Sequence, residues 1–388
     1  MVEAEEIEER FRLTLELSDN IPYKAELLEN CGDRFLTRFL GNTNRREDID
    51  SCILAYELAV HLTPQGHSDM MSRRLNMLGT SFLTRFKRTG DLADISDVIS
   101  YQEKAVRLTP GGHTDIPARL DNLGNSFRNR FERTRDLADI SNTISCQPKV
   151  VHLTPENHAD TPSHLNNLGI SFRNRFERTG DLADLSNAIS YHQKAVHLTP
   201  EGHANIPVRL SNLGNSYLIR FQRTGDLADI SNAISCQQKA VHFIPEGHPD
   251  ILGRLPVGNL GISFLIRFKR TGDLSDISDG ISCQQKAVHL SPEGHANLPG
   301  RLSYLGNSFQ NRFERTGDLA DISNAISCQQ KAVHLTPEGH PDIPSHLNNL
   351  RNSFVFRFQC TGDLADISNA ISCLQKAVNL TPEGPPAV

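Results

Sequence analysis

The chain has 388 residues, with 40 lysines and arginines against 46 aspartates and glutamates, a formal net charge of −6. A chain of this length predicts two or three domains unless it is built from repeats. The negative charge disfavours nucleic acid and anionic membranes as partners, because no overall positive field attracts them. The acidic start MVEAEEIEER and the absence of eighteen consecutive apolar residues predict neither a signal peptide nor a membrane span. We therefore expect a protein of the cytoplasm, a reducing compartment.

Residues 1–20 precede the repeats and carry two conflicting patterns. Phe11, Leu13, Leu15 and Leu17 alternate with polar residues, as in a strand, whereas the surrounding Glu and Arg residues favour a helix. Both alternatives stay open, and we assign the segment as an N-terminal cap or remnant.

One unit recurs eight times over residues 21–388, with a period of 45–47 residues. Its first marker is a glycine, usually in a Leu-Gly step, and its second is a proline, mostly within TPEGH. The glycines are Gly32, Gly79, Gly124, Gly169, Gly214, Gly261 and Gly306, with Arg351 in the eighth place; the prolines are Pro64, Pro110, Pro155, Pro200, Pro245, Pro292, Pro337 and Pro382. Such periods indicate a solenoid or a propeller.

The fourth copy shows that the unit is helical. Leu165, Leu168, Phe172 and Phe176 share one face of a helix, which we name helix A. Neither this helix nor its successor can bury an apolar stripe alone, so the copies must stack. The sequence predicts an all-α fold, an α-solenoid of about eight helix-turn-helix repeats.

A turn separates helix A from a second helix, helix B. Gly180 can adopt the left-handed conformation of a helix end, and Asp181 can cap the next helix together with Asp184. Pro200 then stops helix B. Two helices of about 16–18 residues account for one period.

These columns resemble the tetratricopeptide repeat (TPR), whose signature is an apolar residue, Leu-Gly, an aromatic residue, spaced alanines and a proline. The matching residues of the fourth copy are Leu165, Leu168, Gly169, Phe172, Ala188, Ala195 and Pro200. Three features depart from the family: Leu165 stands where Trp is usual, the chain has no Trp at all, and the period of 45 exceeds the family's period of about 34. The resemblance covers about residues 22–382 and implies a right-handed superhelix.

The long units, with RFERTGDLADI and HLTPEGHPDIP, are similar to TPR arrays of mushroom-forming fungi. Those arrays often precede a caspase-like CHAT peptidase domain. If this chain belongs to such a system, the resemblance implies that it is the sensing arm.

In the TPR family, helix A lines a concave groove, and ligand contacts come mostly from positions one, four and five after the glycine. Here these positions differ between copies, while the scaffold recurs. The candidate binding residues are Asn125, Arg128, Asn129, Arg173, Asn174, Leu218, Ile219, Ile262, Leu265, Ile266, Gln310 and Asn311. They suit a peptide or an amphipathic helix. The alternative is drift at solvated positions, or packing across a tight superhelix.

Columns of three further residue types, cysteine, histidine and arginine, could carry chemistry. Cys146, Cys236, Cys283, Cys328 and Cys373 share a helix B column with Tyr101 and Tyr191. Neighbours in one column should lie about 8–10 Å apart, whereas a disulfide needs its Cα atoms within roughly 7 Å, so we expect buried free thiols.

Two histidine columns end helix B and occupy the following turn, exemplified by His197 and His203. A histidine can favour the helix dipole in the first position and cap the chain in the second. The spacing from His197 to His203 is not that of a zinc site, so no metal is expected.

An arginine precedes the last Phe of helix A in all eight copies: Arg38, Arg85, Arg130, Arg175, Arg220, Arg267, Arg312 and Arg357. We expect each arginine to bond a helix-end carbonyl or a carboxylate of the DLAD turn. The alternative is a positive stripe that grips an acidic or phosphorylated ligand.

The sequence favours a non-catalytic scaffold that binds a peptide or helical segment of a protein partner, without a cofactor. GxGxxG, GxxxxGK[ST], HExxH and GxSxG motifs are all missing, and residues that repeat eight times are structural by the simplest account. The alternative is a sensing or regulatory arm, acting in trans, of a CHAT-type peptidase or a signalling ATPase.

Some copies are irregular. In copy 3, Pro148 lies inside helix B and Arg135 replaces the turn glycine, which should weaken that copy. Copy 6 gains two residues at 255–258, so its helix A should begin late or kink. The last copy ends at TPEGPPAV without a polar capping helix, although Arg351 could form a partial cap. That apolar edge suggests self-association or a longer parent protein.

Overall fold

The computed structural model describes residues 2–21, 23–43, 45–155, 158–243, 251–292 and 294–380, and of residues 2–5, 42–43 and 251–256 it describes the backbone alone. These residues form seventeen α-helices, one π-helical turn and no strand. The chain divides into two compact units, Met1–Leu198 and Thr199–Val388. Each unit is an α-solenoid in which every helix packs against the next, as the sequence predicts.

Unit 1 contains one leading helix and four helix pairs. Its helices are α1 (Val2–Glu16), α2 (Lys24–Arg38), α3 (Arg46–His61), α4 (Ser68–Thr89), α5 (Leu92–Leu108), α6 (Ile116–Thr134), α7 (Leu137–Leu153), α8 (Thr161–Thr179) and α9 (Leu182–His197), with the π-helical turn at Phe39–Thr43. From α2 onward, even-numbered helices are helix A of a repeat and odd-numbered helices are helix B.

Unit 2 contains four further helix pairs with the same alternation. Its helices are α10 (Ile206–Thr224), α11 (Leu227–His242), α12 (Ile251–Thr271), α13 (Leu274–His289), α14 (Leu298–Thr316), α15 (Leu319–Leu335), α16 (Ile343–Thr361) and α17 (Leu364–Leu380).

Within segment 1–20, Val2–Glu16 form helix α1, so the strand alternative is wrong. Phe11 is buried and meets Phe35 of α2 edge-on, with ring centroids 5.3 Å apart. Leu13 and Leu15 are exposed. The alternation therefore does not mark one face of a sheet. Because a helix repeats about every 3.6 residues, it buries Phe11 and leaves Leu13 and Leu15 exposed.

The turn between the helices of a repeat has the predicted chemistry. Gly180 ends α8 with φ +72°, in the left-handed region, and its amide donates to Phe176 O at 2.7 Å. The Asp181 carboxylate caps α9 by accepting a hydrogen bond from the amide of Ala183 at 2.9 Å. These two residues make a sharp helix end and a capped helix start over a short chain length.

Repeat 3 carries both predicted irregularities. Among the described residues, Arg135 is the only one other than glycine with a positive φ, at +59°. Helix α7 continues through Pro148. The backbone thus follows the path of the other repeats at both positions. Arg135 is consequently strained, and Pro148 has no amide hydrogen to donate within the helix.

In repeat 6, the prediction that helix A begins late is wrong. Helix α12 does not begin late: it has 21 residues, against 19 in α10 and α14, so the inserted residues lengthen the helix. The side chains of Leu255 and Pro256 lie outside the described residues. So do Pro245, His248 and the end at TPEGPPAV, and with that end the prediction of a missing capping helix.

Candidate functional site on the first helices of the repeats

Each Leu-Gly step lets a helix B side chain lie flat on helix A. A Cβ added to Gly261 would come within 2.7 Å of Gln284 Cγ, and one added to Gly306 would meet Gln329 Cγ at the same distance. Gln284 and Gln329 are almost fully buried. The close approach fixes the rotation of helix A, and hence the direction of the positions that follow the glycine.

The arginine column is a structural ladder. Arg175 donates from Nε and Nη2 to the two carboxylate oxygens of Asp184, at 2.8 and 2.5 Å, and its guanidinium lies 5.4 Å from the centroid of Phe172. This hydrogen bond raises the pKa of Arg175. The predicted bond to a DLAD carboxylate is confirmed. Because each guanidinium is paired with a carboxylate of its own repeat, the alternative of a stripe that grips an acidic ligand is disfavoured.

The same pair recurs in every copy. The carboxylates that receive the eight arginines are Asp48, Asp94, Asp139, Asp184, Asp229, Asp276, Asp321 and Asp366.

The candidate binding residues of α6 are half-buried and form a polar row. Asn125 donates to Asp121 Oδ2 at 3.0 Å, and Asn129 donates to the carbonyl of Asn125 at 2.7 Å. Arg128 is also half-buried. The two asparagines are oriented by bonds within their own helix, and part of each of the three side chains remains open to solvent.

In α8, Arg173 is mostly buried: 19% of its side chain is exposed, and its Nε lies 3.8 Å from Glu177 Oε1. Burial lowers the pKa of Arg173. Burial also lowers the pKa of the neighbouring His192, and the positive charge of Arg173 adds to this effect, so that the pKa of His192 falls to about 3. Asn174, the next candidate, is half-buried.

In unit 2 the candidate residues of α10 and α12 are apolar. Leu218, Ile219, Ile262 and Ile266 are half-buried, so each keeps some surface open to solvent. Leu265 requires a correction: it is only 6% exposed and lies in a buried cluster of its unit. Its position four residues after Gly261 turns inward, and we remove it from the candidate contacts.

The polar candidates of α14 take part in bonds along and between helices. Gln310 donates to Glu314 Oε1 at 2.9 Å and accepts a hydrogen bond from Ser353 of α16 at 3.0 Å. Asn311 donates to the carbonyl of Asn307 at 2.5 Å. The Gln310 side chain therefore packs between α14 and α16, as the alternative of packing across the superhelix predicts.

The cysteine column is a packing position. All eight cysteines are free thiols, of which Cys146 and Cys373 of the column are buried, the other column members are half-buried, and Cys360 is exposed. Burial raises the pKa of Cys236 to about 11, so this thiol stays protonated near neutral pH.

The turn histidines act as caps. His203 Nδ1 accepts a hydrogen bond from the amide of Asn205 at 3.1 Å, and His113, His158, His295 and His340 make the same contact. Among the described residues, no group of three His, Cys, Asp or Glu side chains could hold a metal ion.

A buried arginine, five residues before the glycine, joins successive repeats. Arg74 of α4 is 1% exposed; its Nε donates to Glu29 at 3.1 Å and its Nη1 to Thr63 Oγ1 at 2.8 Å. Arg119 likewise donates to Thr109 and to Asp115. Each guanidinium thus reaches the threonine at the end of the preceding helix B.

Histidine replaces this arginine in repeats 4 and 8, and a cavity opens beside each one. In unit 1, a cavity of about 770 Å³ is lined by His164 together with Asp121, Thr154 and Asp160. In unit 2, His346 lines a cavity of about 380 Å³.

The sequence predictions missed both cavities. The sequence feature that could have indicated them lies five residues before the repeat glycine, where histidine twice replaces arginine. The arginines and histidines at this position are Arg74, Arg119, His164, Arg209, Arg301 and His346.

No protein-family model matches this sequence, and no curated protein matches it. The structural neighbours of the chain are TPR-like repeat proteins. YrrB, a TPR protein with an unusual peptide-binding site, is 17% identical with a TM-score of 0.36, over 58% of this chain and 94% of its own. A TPR protein of Thermus thermophilus, TTC0263, is 14% identical with a TM-score of 0.37, over 61% and 98%.

BtubC from P. vanneervenii is 15% identical with a TM-score of 0.47, over 66% of this chain and 95% of its own.

In the described part of the chain, no helix has both the length and the apolar character needed to cross a membrane.

Proposed function

We propose that this chain is a non-catalytic interaction scaffold that binds a peptide or helical segment of a partner protein on its first helices. One observation carries the proposal: a recurrent frame presents different side chains at equivalent, half-exposed positions. In α6 of unit 1 these are polar or basic, as at Arg128, and in α10 of unit 2 they are apolar, as at Leu218 and Ile219. A rigid frame with variable contacts suits recognition of an extended or helical segment.

Site-specific photocrosslinking tests this proposal. A photoreactive amino acid at Ile219 should capture a partner segment from a lysate, and mass spectrometry identifies the crosslinked peptide. The matched control is the same amino acid at Leu227, which is 48% exposed but lies at the start of α11. We expect capture at position 219 and none at position 227.

A double variant, Leu218→Ser/Ile266→Ser, makes the test quantitative. Both residues keep surface open to solvent, so the variant should fold, which circular dichroism can check. It should reduce recovery of the partner at least tenfold, because burial of each side chain contributes about 1.5–3 kcal/mol. Equal recovery by the wild type and the variant would show that these positions are drift.

A second candidate function is the sensing arm of a CHAT-type peptidase or signalling ATPase, acting in trans in the fungal cytoplasm. Its support is the resemblance of the long RFERTGDLADI units to fungal arrays. The identity of the crosslinked partner separates the two functions: a catalytic partner supports the sensing arm, and a partner without enzymatic activity supports a scaffold.

The last described helix offers a further surface for self-association. Leu364, Ile371, Leu374 and Val378 of α17 are 71, 52, 47 and 60% exposed. Such apolar exposure on one helix favours association with another surface. Analytical ultracentrifugation should show a concentration-dependent dimer that Ile371→Lys/Val378→Glu converts to monomer.

A further inference from the structure

We propose that the cavity beside His164 in unit 1 receives the guanidinium group of an arginine side chain from a partner polypeptide. This inference deepens the proposed function, on which it rests for the source of the arginine. The chain itself shows what such a pocket accepts, because the equivalent place in other repeats holds the chain's own arginine.

Repeat 2 defines the receptor. The Glu29 carboxylate and the Thr63 hydroxyl together hold the guanidinium of Arg74, at 3.1 and 2.8 Å. Thr63 also donates its own hydroxyl hydrogen to the carbonyl of Ala59 at 2.7 Å, so its oxygen meets the arginine as an acceptor. The set therefore contains one carboxylate and one hydroxyl fixed as an acceptor.

Repeat 4 keeps this receptor and shortens the resident side chain. Asp121 occupies the register position of Glu29, and Thr154 that of Thr63. Thr154 again donates to a helix carbonyl, that of Val150, at 2.7 Å. His164 stands in place of the arginine and has no atom equivalent to the guanidinium nitrogens that reach the threonine.

The imidazole approaches only the first of the two acceptors and forms no hydrogen bond with it. His164 Nδ1 lies 3.4 Å from Asp121 Oδ1, near the length of the bond from Arg74 Nε to Glu29. This Nδ1 is buried and makes no hydrogen bond with any described residue.

The cavity begins where a longer side chain would continue. It is lined by Thr154 and by Asp160, which occupies the register position of Asp115, a partner of Arg119. Together with Asp121, the lining therefore repeats three of the acceptors that hold a guanidinium in repeats 2 and 3, the equivalents of Glu29, Thr63 and Asp115.

The charge of the cavity favours a cation. Asp121 and Asp160 line it, and no lysine or arginine of the described residues does so. A planar guanidinium can donate to a carboxylate and a hydroxyl at once, in the geometry that Arg74 uses, whereas an ammonium group cannot span both acceptors in one plane.

The corresponding cavity in unit 2 is an internal comparison. It keeps His346, Thr336 and Asp342, but Arg301 also lines it. Ser303 stands at the position of Asp121 and accepts a hydrogen bond from Asn349 at 3.2 Å. We expect this cavity to bind a guanidinium at least tenfold more weakly.

The test titrates the full chain with acetyl-Gly-Arg-Gly-amide and follows methyl NMR signals. Ile116 and Leu153 line the unit 1 cavity, and Ile262 lines the unit 2 cavity, so their methyl groups report each site separately. Saturable shifts are expected first at Ile116 and Leu153. The citrulline peptide, which has the same shape without the charge, should bind at least tenfold more weakly.

Two variants complete the test. His164→Arg supplies the resident guanidinium, so it should abolish peptide binding and raise the thermal midpoint. Asp121→Asn should weaken binding at least tenfold and leave folding intact, because repeat 2 has Asn76 at this position.

Equal binding of the citrulline peptide, or unchanged binding by His164→Arg, would overturn the inference. Its failure is separable from failure of the proposed function, because the peptide titration reads the unit 1 cavity while crosslinking reads Ile219 in unit 2. Loss of one signal with retention of the other identifies which of the two proposals is wrong.

Discussion

The imidazole of His192 lies directly against the face of α8 at Gly169: a Cβ added to this glycine would come within 2.5 Å of the ring. Repeat 3 offers a looser version of the same contact, since a Cβ on Gly124 would meet Cys146 Cβ at 3.5 Å and Gln147 Cγ at 3.6 Å. The glycine column is therefore a packing requirement whose strictness depends on the side chain that helix B places opposite.

Alanine substitution should separate the two glycines. We expect Gly169→Ala to destabilise its repeat by about 1–3 kcal/mol, because the buried ring must move. Gly124→Ala should be neutral or stabilising by up to about 1 kcal/mol, because alanine favours a helix and its Cβ fits. Hydrogen exchange of α8–α9 and of α6–α7 measures each repeat. Equal losses at both positions would contradict the packing argument.

The buried His192 should make stability depend on pH. Its pKa is lowered to about 3, first by burial and then by Arg173, from an ordinary value near 6.5. Between these values the unfolded chain binds a proton that the folded chain does not, so stability falls as pH decreases below about 6.5. The loss should reach about 2 kcal/mol at pH 5, from 1.36 kcal/mol per unit.

Urea unfolding at pH 7 and pH 5 measures this effect. His192→Gln, which installs the residue found at this position in repeats 2, 3 and 5, should remove most of the difference in unfolding free energy. A pH dependence of unchanged size in the variant would assign the effect to other groups.

The Arg175–Asp184 pair should be asymmetric under mutation. Asp184 is almost fully buried, whereas 28% of the Arg175 side chain is exposed. Arg175→Met leaves a buried carboxylate without its cation and should cost about 3 kcal/mol, and Asp184→Asn should cost less. Unfolding of both single variants and the double variant gives their coupling, expected at about 1–3 kcal/mol. Additive effects would mean that the ladder does not stabilise the repeat.

Local features were predictable from the sequence because chain spacing alone determines them. Gly180 and Asp181 are adjacent, and Arg175 lies nine residues before Asp184, so a short turn brings these groups together. The burial of Leu265 was not predictable, because it depends on the rotation of α12 about its own axis relative to the helices that it packs against. The pocket at His164 combines residues from three helices, which no spacing within one repeat reveals.

Repeat 3 should be improved by restoring the residues common to other repeats. Arg135 holds a φ of +59°, a conformation that costs an L-residue about 1–2 kcal/mol, so Arg135→Gly should stabilise the repeat by about 1 kcal/mol. Pro148 lacks the amide hydrogen that would bond the carbonyl of Ile144, so Pro148→Gln should add up to about 3 kcal/mol. Slower hydrogen exchange in α7 measures both gains.

The reverse substitution in repeat 5 provides the matched control. Gln238 occupies the position of Pro148, in a helix of the same register without an internal proline. Gln238→Pro should destabilise α11 by an amount similar to the gain in repeat 3, because the same backbone bond is lost. If Pro148→Gln gives no gain while Gln238→Pro is costly, α7 has already relaxed around its proline, and the weakness of repeat 3 lies at Arg135 alone.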